Sequence, residues 1–303
     1  MTLFVQLLLN GLVAGSLYGM VAVGFALIFG ATRHFHIAHA AVFAAGGYLA
    51  YGLITKVGLP VSVAVPVGLT GSVLLGMVIA RFLYSPLGSR GGAGFVLFLV
   101  SLGALIVIEN TLTLWLTTAP AKIDLGGWWR KAVHIGSWAL TGGQIAFVLL
   151  TVLAFVALVL VLDRTRAGKL VKAYSGNPEF VQVVGRRPQS VLLLVYSVGS
   201  FFAAIAGLYV AADTGMQPGL GETYFITSIM AVILGGIGSI RGAFVAAMLL
   251  GILQNILLYK MPAEWTLPAI FALFLVVITL SPAGLSTLNL RKFKPRNLAR
   301  QHA

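Results

Sequence analysis

Nine stretches of this chain run for about twenty residues with hardly a charge, near 3–30, 37–55, 61–80, 93–117, 143–162, 189–212, 223–240, 242–259 and 265–285. About 20 apolar residues rising 1.5 Å each are what a bilayer core requires of a helix. Lipid offers no partner to a peptide group, so only helices and closed barrels can span it. Barrel strands alternate apolar with polar residues. These runs are apolar throughout, so the expected fold class is all-α polytopic membrane protein with about nine transmembrane helices. Eight or ten remain compatible, because 223–240 is short and rich in glycine. Only 9% of residues are charged, against about 25% in soluble domains, and a soluble enzyme is excluded. The chain has no cysteine, hence no disulfide and no thiolate metal site. The first run lacks a basic leader and is too long for a signal-peptide core, so no cleavable signal is expected.

Lysine and arginine set the expected orientation. With the polar loop 163–188 inside, the inside holds Arg33, Arg81, Arg90, Arg164, Arg166, Lys169, Lys172, Arg186, Arg187 and Arg241. It also holds the tail residues Arg291, Lys292, Lys294, Arg296 and Arg300. The outside holds only Lys56, Lys122, Arg130, Lys131 and Lys260. This positive-inside bias puts the N-terminus outside and the C-terminus in the cytoplasm. The net charge of +13 follows from the same bias and calls for no nucleic acid. The whole chain, 1–303, reads as a single permease domain with a basic cytoplasmic tail at 287–303. Four spans precede the fifth and four follow it from the opposite side, which suits an inverted repeat. Residues 118–141, with Trp128 and Trp129, read as an interfacial loop.

The segment 163–188 reads as folded. Arg166, Lys169 and Lys172 recur opposite Leu170, Ala173 and Tyr174, the pattern of a short amphipathic helix. Gly176 stands where a glycine ends a helix. Asn177 as N-cap, Pro178 at the first position and Glu179 in the first turn then open a second helix. Phe180, Val181 and Val184 give it an apolar face, and Gly185 is placed to end it. The arrangement suits a docking element for a partner protein as well as a solvated basic loop.

Other features compete with plain structural readings. Gly11, Gly15 and Gly19 form a stripe for close helix packing. Gly235, Gly236 and Gly238, followed by Ser239, make a poor helix interior and suggest a break that lines a path. His34, His36 and His39 fall within six residues, but no acid or cysteine lies nearby, and a junction exposed at the interface explains them without a metal. Glu109 and Asn110 sit in the fourth span, where an acid is costly unless it faces the bundle interior. No catalytic set appears.

Four dispersed stretches together resemble the permease subunits of the high-affinity branched-chain amino acid ABC importers. The first span matches the family's opening through Asn10, Gly11, Leu12, Gly15, Tyr18, Ala22, Gly24 and Gly30. At the next junction the family's Asn-Phe-Ala-His-Gly motif is met by Ala38 and His39, whereas His36, Ile37 and Ala40 depart from it. Arg166, Gly168, Ala173, Asn177, Pro178, Glu179 and Gly185 match its coupling segment. Gly235 to Ala243 match its Gly-Gly-x-Gly-Ser-Ile-x-Gly-Ala signature. The resemblance implies a transport subunit of the bacterial inner membrane, with no catalytic residues and no cofactor. It implies a second homologous permease, two cytoplasmic ATPases docked on the coupling segment, Phe180 included, and a periplasmic solute-binding protein. Its substrate path would involve His39, Glu109, Asn110, Gly235, Gly236, Gly238 and Ser239. Urea or short amides are alternative solutes within the family. An ion-coupled transporter using Glu109, or a non-conducting scaffold, are the rivals outside it.

Overall fold

The computed structural model describes residues 2–89, 94–116, 118–136, 138–183 and 185–280. Arg90 and the basic tail 287–303 lie outside them. The elements in order are α1 (Thr2–Thr32), α2 (His39–Thr55), α3 (Val61–Val78), a π-helical turn (Ile79–Tyr84), α4 (Ser85–Ser89) and α5 (Gly94–Trp115). There follow α6 (Gly127–Arg130), β1 (Ala132–Ile135), β2 (Trp138–Thr141), α7 (Gly142–Arg164), α8 (Arg166–Gly176) and α9 (Pro178–Val183). The last four are α10 (Pro188–Asp213), α11 (Leu220–Gly235), α12 (Ile240–Lys260) and α13 (Ala263–Leu280).

Seven of these helices are long and apolar enough to cross a membrane, and α2 and α11 are shorter apolar helices of 17 and 16 residues. Each of the nine segments expected from hydropathy therefore contains a helix, and the chain is an all-α polytopic membrane protein. The 118–141 segment departs from the expected loop. Residues 132–135 pair antiparallel with 138–141 in a short hairpin, Val133 opposite Leu140.

The helices alternate between two ends. At one end Gln6, near the start of α1, brackets Ala139 of the hairpin, donating to its carbonyl at 2.9 Å and accepting its N–H at 3.0 Å. At the other end the last turns of α1 and α7 meet α8 and the α11–α12 junction. Among the described residues, Arg33, the 164–187 cations and Arg241 fall at the α8 end. Lys56, Lys122, Arg130, Lys131 and Lys260 fall at the hairpin end.

The two halves interlock. α1 packs on α11 and α12 of the second half, while α10 packs on α2 and α3 of the first. α1 and α10 cross each other where Gly24 meets the carbonyl of Gly199. α2 and α11 are mostly buried. The outer helices show apolar side chains such as Leu114, Leu153 and Val276 to the surroundings. This is the pattern of lipid or partner contact, because lipid tails suit such side chains as well as a core does.

Small residues set the tightest contacts. A Cβ on Gly11 would stand 2.6 Å from the Ile252 Cα, and one on Gly15 2.8 Å from that of Met248. The glycine stripe of α1 is thus the groove for one face of α12. At Gly207 on α10 a Cβ would overlap the Phe43 carbonyl oxygen of α2.

Candidate functional site

The short helix α2 begins inside the protein rather than at one of its ends. α1 closes at Arg33, whose φ of 58° turns the chain back on itself. The return runs through a buried polar knot. Ser101 Oγ accepts the Ala38 N–H at 2.9 Å and the Tyr84 hydroxyl at 2.7 Å. Tyr84 Oη is also hydrogen-bonded to His36 Nδ1, 2.8 Å away. Tyr84 closes the π-helical turn, a distortion common at functional positions.

His36 and His39 are both fully buried, His36 against Tyr84 and Tyr196, His39 against Phe25 and Phe225. The expectation of histidines exposed at an interface is wrong for these two, because the chain re-enters the protein before α2 starts. Only His34 keeps partial exposure, and burial lowers its pKa. No group of three or more His, Cys, Asp or Glu side chains is placed to hold a metal among the described residues.

α11 opens at Gly219, held at φ 81°. Glu109 Oε1 accepts the Gly219 N–H at 2.6 Å, a carboxylate at the positive end of a helix dipole. Glu109 is 7% exposed and faces the interior. It lies six residues from the end of α5, so it is nearer the hairpin end than the centre of its span. Asn110 does not share the site. One residue on, it is rotated by 100° to the outer face, where its amide bonds its own helix at the Ile106 carbonyl, 2.7 Å away. A Cβ on Gly221 would stand 2.6 Å from the Ala40 carbonyl, so the starts of α2 and α11 lie side by side. His39 and Glu109 therefore flank one buried region.

Gly235, Gly236, Gly238 and Ser239 belong elsewhere, at the α8 end. α11 stops at Gly235, Gly236 and Gly238 take φ of 97° and 89°, and Ser239 caps α12 by accepting the Gly242 N–H at 3.0 Å. The helix break expected from four glycines is there. The glycine contact at this corner is backbone on backbone, Gly235 against Gly242.

α8 and α9 are built by their caps. Thr165 Oγ1 accepts the Gly168 N–H at 3.1 Å, and Asn177 Oδ1 accepts the Glu179 N–H at 2.8 Å. Gly176 ends α8 without entering the left-handed region; the extended backbone of Asn177 does the stopping. Gly185 takes φ 71° and closes α9 with two bonds, Gly185 N–H to Gln182 O at 2.9 Å and Arg186 N–H to Val181 O at 3.0 Å. That pair is the Schellman pattern. The apolar face differs from expectation. Val181 is fully buried, whereas Phe180 and Val183 are 55% and 81% exposed. Phe180 and Val181 stand 100° apart, and the edge between the buried and exposed faces runs between them, while Phe180 and Val183, three apart, share the exposed face. Val184 lies outside the described residues. On α8, Gly168 abuts the last turn of α7 at Leu162, with no room for a Cβ; Arg166 is exposed and Ala173 half-buried.

Asp163, at the foot of α7, ties this element to the bundle. It accepts from Lys172 of α8 at 2.7 Å and pairs with Arg241 of α12.

The sequence reading missed a polar cavity of about 290 Å³ between α1, α7, α10, α11 and α12. Asn10, Tyr18, Gln144, Tyr209, Asp213 and Tyr224 line it, and Tyr18 donates to Gln254 Oε1. The available signal was polar side chains inside otherwise apolar spans, which by default mark function or internal pairing.

Comparison with known proteins gives a consistent picture. A family model described as branched-chain amino acid transport system / permease component matches residues 7–279. The chain is 26% identical to the high-affinity branched-chain amino acid transport system permease protein BraD of Pseudomonas aeruginosa, over 93% of this chain and 95% of that protein. It is equally similar to the corresponding protein LivH of Salmonella typhimurium, with the same coverage. A shorter match, 32% identical over 34% of each chain, is to the ribose import permease protein RbsC of Bacillus subtilis. Among solved structures, PsaBC from Streptococcus pneumoniae in complex with Fab aligns over 93% of this chain and 94% of its own, with 14% identity and a TM-score of 0.45.

Proposed function

The chain belongs to the family of branched-chain amino acid transport system permease components, and on that premise we propose that it is the membrane subunit of an ATP-driven importer for branched-chain amino acids. As a permease component it is not itself the catalyst. ATP is hydrolysed by two partner subunits on the cytoplasmic side of the bacterial inner membrane, a second homologous permease completes the pathway, and a periplasmic protein delivers the solute. The α8 end faces the cytoplasm.

The observation that carries this reading is α8–α9, a capped element outside the spans that offers Phe180 and Val183 to solvent. Exposed apolar pairs on an otherwise polar surface are typical anchors for a partner. Three links would pass a push on this element to the bundle. Gly168 bears on α7, Lys172 pairs with Asp163, and Asp163 pairs with Arg241 at the start of α12. The α11–α12 corner, with two glycines at positive φ, is the hinge such a push would bend. The substrate path runs beside the buried start of α2 and the adjacent start of α11, with His39 and Glu109 positioned by the surrounding helices.

The test is solute-stimulated ATP hydrolysis by the reconstituted importer. Phe180→Asp and Val183→Asp should leave the subunit inserted and cut stimulation at least tenfold. Full stimulation in both variants would reduce α8–α9 to an ordinary loop.

A further inference from the structure

We infer that the cavity at the α8 end seats one anionic phospholipid, its phosphate on Arg33, Lys172 and Arg241 and an acyl chain along α1 and α7. The cavity holds about 420 Å³ between α1, α7, α8 and the α11–α12 corner. Its chemistry divides into two zones. The wall is apolar, from Ala26, Leu27 and Ala31 on α1 and Val159 and Leu162 on α7. Ala26 stands six residues before the end of α1, so this wall descends about 9 Å below the rim. The rim carries three cations, Arg33, Lys172 and Arg241, and one carboxylate, Asp163.

The charges do not cancel. Asp163 engages both Lys172 and Arg241, and one carboxylate neutralises one of them at most. Arg33 has no ion pair among the described residues. It is also the non-glycine residue held in the left-handed region, at φ 58°, a strained conformation that marks positions under functional constraint. The rim keeps a net charge of +2 from three cations and one carboxylate, and a monoanionic headgroup would offset half of it. A small soluble anion would satisfy the rim and leave the apolar wall bare; a lipid uses both. Basic pockets between transmembrane helices at the membrane surface take anionic headgroups for this reason. One other cavity, of about 360 Å³ against α8 and α10, also joins cations, Arg186 and Arg187, to apolar Leu170, Val191 and Leu194, but it brings two cations together against three. The 290 Å³ cavity carries Asp213 but no lysine or arginine in its lining, and the one between Gly52 and Trp115 is almost wholly apolar.

The experiment offers the purified, delipidated protein phosphatidylglycerol and phosphatidylcholine with identical chains and reads retained lipid by native mass spectrometry. The wild type should keep one phosphatidylglycerol in preference to phosphatidylcholine. Arg33→Asn, which tolerates the left-handed backbone, and Arg241→Gln should each weaken retention about fivefold, the worth of one cation beside an anionic surface. Asp163→Asn should strengthen it, because the only competing carboxylate is gone. A purely structural cluster would instead lose retention in all three variants, and that result overturns the proposal. So does the absence of headgroup preference in the wild type. Glycerol phosphate is added as the soluble arm; if it displaces the lipid at equal concentration, the rim serves a soluble anion and the lipid assignment falls. Circular dichroism and size-exclusion profiles, read on every variant, show that altered retention is not unfolding. The readout needs no ATP hydrolysis, so it stands or falls apart from the transport assignment.

Discussion

Glu109 shows how one buried side chain can be read through its partner. Its carboxylate meets the first amide of α11 at 2.6 Å, a charge-assisted bond at a helix start. Glutamine keeps an oxygen that can accept the same N–H. Glu109→Gln should therefore fold normally and retain most uptake, with no change in its pH dependence. Glu109→Leu removes the acceptor of the half-buried Gly219 amide, at a cost of about 1 kcal/mol. Thermal unfolding of both variants in detergent checks the difference. A well-folded Glu109→Gln protein that no longer transports would revive proton carriage by this residue. The sequence placed Glu109 in an apolar span and made an inward orientation the economical one. It held no sign that the partner lay 110 positions away. The same holds for His36 and Tyr84, 48 positions apart, since such pairings are made by tertiary packing alone.

Elements were legible where a local rule governed them. Asn177, Pro178 and Gly185 announce the ends of α9, because capping chemistry needs only neighbours along the chain. The inner and outer faces of α9 were not legible, since six residues of mixed apolar character suit several rotations. The π-helical turn left no mark, because one extra residue in an apolar run does not disturb its hydropathy. The hairpin hid for the reverse reason: four-residue strands are too short for alternation to stand out. At Gly185 the backbone itself is testable. At φ 71° a β-branched residue is strained by about 1–2 kcal/mol. Gly185→Val should loosen the Schellman turn and speed tryptic cleavage after the adjacent, exposed Arg186 several-fold, while Gly176→Ala, at a position of ordinary φ, should not. Equal cleavage rates in the two variants would mean that the turn is held by something other than its backbone.

At the scale of the whole molecule, hydropathy located the apolar helices because lipid demands them, seven of crossing length and two shorter, and the structure sorts the described cations onto two ends. Reporter fusions after Arg187 and after Lys131 should read cytoplasm and periplasm respectively; the reverse pattern would invert the proposed orientation and with it the docking side for the ATPases. The interlocking of the halves also has a temporal consequence. α2 is buried along most of its length, and much of what covers it is α10, which leaves the ribosome some 150 residues later. At about 5–20 residues per second, the nascent first half waits roughly 8 to 30 seconds with α2 uncovered. Its polar start, His36 and His39 included, must be sheltered during that interval by the insertion machinery or by water. The vulnerable moment in the life of this protein is thus its synthesis, and a substitution that slows the closing of α10 over α2 would lower its abundance before it ever met a substrate.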